Sequence, residues 1–84
     1  MDVFIYFPPN LDVEKDEIED ALDEAIGDLG EVSGGGIVQK GMNIDLDVED
    51  DADPEEIADL IRGALARLKV ACTKIDINGK TFPP

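Results

Sequence analysis

Asn43-Ile44-Asp45-Leu46-Asp47-Val48-Glu49 alternates without a break between apolar and polar residues. Successive side chains of a β-strand point to opposite faces, so Ile44, Leu46 and Val48 fall on one side and Asn43, Asp45, Asp47 and Glu49 on the other. A strand so divided belongs to a sheet with one face packed on a core and the other in water. Just upstream, Glu31 to Gly36 is dominated by Gly34-Gly35-Gly36. Residues 31 to 49 therefore read as a hairpin with its turn near Ile37 to Gly41, and the glycines leave the register of its first arm open.

On either side of this hairpin the period changes. Ile18, Ala21, Leu22, Ala25, Ile26 and Leu29 form one stripe of an α-helix within residues 12 to 29, with Gly27 and Gly30 marking its end. Asp53-Pro54-Glu55-Glu56 opens a second helix, with Asp53 as N-cap and Pro54 at the first helical position, and Ile57, Leu60, Ile61, Ala64, Leu65 and Leu68 continue at helical spacing. Val3 to Phe7 is a short apolar run stopped by Pro8-Pro9, the pattern of a central strand. Thr73 to Asn78 alternates again through Ile75 and Ile77, and Asn78-Gly79 closes it as a turn. The order β-α-β-β-α-β predicts an α+β fold of the ferredoxin-like type, a four-stranded antiparallel sheet with two helices on one face. At 84 residues the chain is expected to be one domain, residues 1–84.

Composition narrows the chemistry. The hydrophobic content of 43% is that of a folded domain, while 21 acidic against 7 basic residues give a formal net charge of −14. Such a charge repels phosphates and anionic lipid headgroups, so direct nucleic-acid and membrane-surface binding are not expected, and a partner should be basic. There is no histidine, so neither a catalytic triad nor a histidine general base is available, and Cys72 is the sole cysteine. Between Ala71 and Thr73 it reads as a small buried hydrophobe. No enzyme activity, cofactor or metal is expected. The N-terminal segment lacks the basic region and length of a signal peptide, and no stretch reaches the span of a membrane helix, which points to the cytoplasm.

Familiar site motifs fail on particular residues. Asp45, Asp47, Glu49 and Glu56 have the spacing of an EF-hand loop, but Asp50 occupies the position that needs glycine and Pro54 falls inside the loop. Gly34-Gly35-Gly36 is followed by no helix N-terminus and no Lys-Ser/Thr pair, so a β-bulge explains it better than a phosphate loop.

The charge is unevenly spread. Residues 1–53 carry 17 acidic and 2 basic side chains, net −15, whereas residues 54–84 carry 4 and 5, net +1. One acidic group covers the outer face of the first helix, as solvated helix faces do. The other runs through Asp45, Asp47, Glu49, Asp50 and Asp51. If Ile44, Leu46 and Val48 face the helices, the polar side of that strand lies on the open sheet face. Either Phe4 and Tyr6 or Val3, Ile5 and Phe7 of the first strand must share it, and the tyrosine hydroxyl favours Phe4 and Tyr6. RNA-recognition sheets also display aromatics, but beside Lys and Arg. Here carboxylates accompany them, which suits a basic protein partner. The candidate partner-binding residues are thus Phe4, Tyr6, Asp45, Asp47, Glu49, Asp50 and Asp51.

A short, acidic, histidine-free chain with Gly30-Glu31-Val32-Ser33-Gly34-Gly35-Gly36 leading into Gly41-Met42-Asn43-Ile44-Asp45-Leu46-Asp47-Val48 resembles small bacterial immunity proteins of the polymorphic-toxin or contact-dependent-inhibition type. The resemblance implies a cytoplasmic, non-enzymatic inhibitor that occludes the basic substrate groove of a cognate toxin, a nuclease or deaminase, and it carries over no catalytic residue. Two other readings stand beside it: a nucleic-acid mimic that inhibits a DNA-binding enzyme, and a salt-adapted domain of a halophile.

Overall fold

The chain folds in the order β1 (Asp2–Phe7), α1 (Lys15–Ile26), β2 (Gly30–Val38), β3 (Gly41–Val48), α2 (Pro54–Leu68), β4 (Lys74–Ile77) and β5 (Lys80–Phe82). The computed structural model describes residues 1–38 and 41–84. Its strands form one antiparallel sheet in the spatial order β2-β3-β1-β4-β5. The expected hairpin turn falls partly on residues 39 and 40, outside the described residues.

One face of the sheet makes the core. Val3, Ile5 and Phe7 of β1, Ile44, Leu46 and Val48 of β3, and Ile75 and Ile77 of β4 are buried in a single cluster with Ile18, Leu22 and Ile26 of α1 and Ile57, Ile61 and Leu65 of α2. Both helices thus cover the same face and pack on each other. Burying each such side chain contributes about 1.5–3 kcal/mol against the entropy of ordering the chain, so this cluster dominates folding. No described helix is long and apolar enough to cross a membrane.

The sheet departs from the expected four strands. Asn78 (φ 52°) and Gly79 (φ 86°) both take positive φ, the geometry of a tight type I′ hairpin turn. The turn sends the chain back along β4, pairing Ile75 with Phe82 and Ile77 with Lys80. Phe82, 7% exposed, thereby closes the edge of the core. The turn was readable, but the three residues after it are too few to show a period.

Element boundaries follow local chemistry. At α2, the Asp53 carboxylate accepts the Glu55 backbone N–H at 3.1 Å, and Pro54 occupies the first turn. By contrast α1 begins at Lys15, later than the sequence reading; Glu14 stands at its N-cap without a side-chain bond, while Leu11 and Val13 of the preceding loop pack on the core. A short 3₁₀ turn, Gly27–Leu29, leads from α1 into β2.

Candidate interaction surface

The other sheet face carries no helix, and the strand register arranges it in rows. Glu31 of β2, Asp47 of β3 and Asp2 of β1 stand side by side in the first row. Gly34, Asp45, Phe4, Asp76 and Thr81 cross all five strands in the second. In the third, Gly36, Asn43, Tyr6 and Lys74 follow one another. The surface is therefore graded, with three carboxylates side by side at one end, Phe4 between Asp45 and Asp76 at the centre, and Tyr6 with Lys74 at the other end.

Polar neighbours hold these groups in place. Asn43 Nδ2 donates to Asp45 Oδ1 at 2.8 Å, and Thr81 Oγ1 donates to Asp76 Oδ1 at 2.7 Å. Lys74 Nζ lies 3.3 Å from Asp76 Oδ2 and also 4.8 Å from the centre of the Tyr6 ring, a cation–π contact. The ring expected as a free anchor thus already has a cation over it. Phe4, 36% exposed and flanked by Asp45 and Asp76, is the aromatic that is open to a partner.

The acidic end extends beyond the strands. Glu49 follows the last residue of β3, its N–H donating to the Leu29 carbonyl, and Asp50 and Asp51 are exposed in the turn toward α2. Asp50 pairs with the Met1 amine at 2.7 Å. The hydrogen bond from that amine holds the Asp50 carboxyl below its ordinary pKa, and the bond to Asp50 raises that of the amine. Asp50 thus has the amine as an intrachain partner while its side chain stays exposed, and Asp45, Asp47, Glu49 and Asp51 face no described basic side chain at salt-bridge distance. Cys72, on the helix side, is 8% exposed, and burial pushes its thiol pKa up.

The predicted placement of Phe4, Tyr6, Asp45 and Asp47 on one open face agrees with this register. Sequence reasoning missed Asp2, Glu31 and Asp76 as members of it. Asp76 was readable from the alternation of Ile75 and Ile77, and Asp2 from that of Phe4 and Tyr6. Glu31 was not, because an irregularity between Val32 and Gly34 displaces the register of β2. The second acidic group, on α1, lies on the helix side of the sheet: Asp16, Glu17, Asp20 and Glu24 are exposed while Ile18 and Leu22 point inward, and Asp23 reaches the outer edge of β2.

No protein-family model matches the chain, and no curated protein or solved structure matches it.

Proposed function

We propose that the chain is a non-enzymatic binding protein whose open sheet face docks on a basic surface of a partner protein. In its most specific form it is an immunity-type inhibitor that acts in the cytoplasm and occludes the basic substrate groove of a cognate toxin of the nuclease or deaminase class. In this reading β1 to β4 with the two helices are a ferredoxin-like sandwich to which β5 is appended.

The observation that carries the reading is the first row. Glu31, Asp47 and Asp2 are direct cross-strand neighbours. Like charges so placed destabilise a sheet, and a row of them has no structural benefit of its own. A cationic partner surface relieves the repulsion on binding, so the same residues that weaken the free fold strengthen the complex. Phe4 supplies the apolar centre that charge alone lacks, consistent with the aromatic anchors of protein interfaces.

The test is capture of the partner on immobilised chain at about 50 mM salt with release at about 500 mM, where the screening length has fallen to roughly a third. Binding of the captured protein is then compared with the variant carrying Asp45→Lys, Asp47→Lys and Asp51→Lys. The reading expects affinity to fall by at least about tenfold, equivalent to about 1.4 kcal/mol. A chain that retains no basic protein, or a variant that binds as well as the original, contradicts it.

A further inference from the structure

We infer that the outer edge of β2 is a strand-docking site that takes an extended segment of alternating cationic and apolar residues from a basic partner; this rests on the reading of the open face given above. The register shows which backbone groups are free. Val48 N–H donates to the Met1 carbonyl, so the even residues of β3 turn toward β1 and its odd residues toward β2. Opposite Asp45 and Asn43 stand Gly34 and Gly36, which leaves Val32, Gly35 and Ile37 with their N–H and C=O groups directed outward. The Val32 N–H is closed by the Asp23 carboxylate at 3.0 Å. Among the described residues no side chain closes Gly35 or Ile37 in the same way.

An open edge of this kind is a template for another strand, and proteins ordinarily blunt it with charge, proline or a covering element. One end of this edge is blunted by Asp23, and the Lys15 side chain passes 3.4 Å from where a Gly35 Cβ would stand, but no described side chain bonds the outward groups of Gly35 and Ile37. Gly34 and Gly36 present no side chain on the open face, and Ile37 is 79% exposed. A strand laid along the edge places alternate side chains on the two faces of the sheet. Those on the open face pass over the glycines toward Asp45, whose Oδ2 lies 4.0 Å from where a Gly34 Cβ would stand. Those on the helix side meet Ile37 and the mainly apolar hollow it forms with Leu11, Val13 and Met42, which Asn10 and Lys15 also line.

Charge selects the occupant. A second copy brings another formal charge of −14 against this one, which opposes edge-to-edge pairing of two chains. A segment with lysine or arginine on one face and valine or isoleucine on the other satisfies both sides at once.

The probe is a synthetic peptide of alternating lysine and valine, with a glutamate–valine peptide as control. The inference expects the first to bind, the Gly35 and Ile37 amide protons to exchange at least about tenfold more slowly in the complex, and the control to stay free. Ile37→Pro removes one outward N–H at an edge position that tolerates proline, and should weaken binding at least about tenfold. The exchange measurement on the unaltered chain stands independently of how well that variant folds. If the peptide binds with Asp45, Asp47 and Phe4 perturbed but Gly35 and Ile37 unprotected, the open-face reading survives and the edge inference falls. Absence of peptide binding overturns both, and concentration-dependent pairing of the free chain through β2 overturns the choice of occupant.

Discussion

Phe4 and Ile5 are adjacent in the chain and differ in what they do. Ile5 is fully buried, while Phe4 keeps 36% of its surface on the open face. Replacing Ile5 by alanine should cost about 2–5 kcal/mol in denaturant unfolding, as large-to-small core changes do. Phe4→Ala should cost clearly less in the same assay while weakening partner binding, and equal stability losses for the two would contradict the assignment of faces. Cys72 couples folding to pH. With its thiol pKa raised by burial, the folded state holds the proton more tightly than the unfolded chain. Its contribution to stability is then present below the ordinary thiol pKa and declines as pH rises from there to the raised value. Native protein should react slowly with iodoacetamide at pH about 8 and quickly once unfolded in urea, and the alkaline stability loss should diminish in Cys72→Ala.

Among the elements, β2 depends most on glycine. At Gly35 φ is 152°, and a Cβ would come within 2.5 Å of the Asn43 carbonyl oxygen, whereas at Gly34 the nearest neighbouring atom lies at 4.0 Å. Gly35→Ala should therefore lower the melting temperature markedly and Gly34→Ala little; similar shifts for both would mean that the β2–β3 register is different. At the start of α2, Asp53→Ala removes the bond to the Glu55 N–H and should cost about 1 kcal/mol in thermal or denaturant unfolding. These elements also show what the sequence could disclose. The half-buried β3 was legible because Ile44, Leu46 and Val48 keep a strict period of two, and the start of α2 because Asp53-Pro54 is a local signal. β5 was not, since Lys80-Thr81-Phe82 is too short for periodicity, and β2 was obscured by glycines without hydropathy and by its irregular register at Ser33. The stacking of Lys74 on Tyr6 links β4 to β1 across nearly the whole chain, and no local pattern announces it.

For the whole molecule, the net charge of −14 acts on stability as well as on recognition. Screening should raise the melting temperature modestly between about 20 and 200 mM KCl, with the chain folded throughout, because repulsion among exposed carboxylates extends over roughly one Debye length. A chain that folds only in molar KCl would instead make its acidity a solvent adaptation. The distribution of charge argues for recognition: the acids form two surfaces, the open sheet face and the outside of α1, and only the first combines carboxylates with an exposed aromatic. The most direct test is to titrate isotope-labelled protein with a hexa-arginine peptide and map the amide shifts. Docking through the open sheet face predicts shifts centred on Phe4, Asp45 and Asp47 that fade with salt, whereas shifts centred on Glu17, Asp20 and Glu24 of α1 would contradict it.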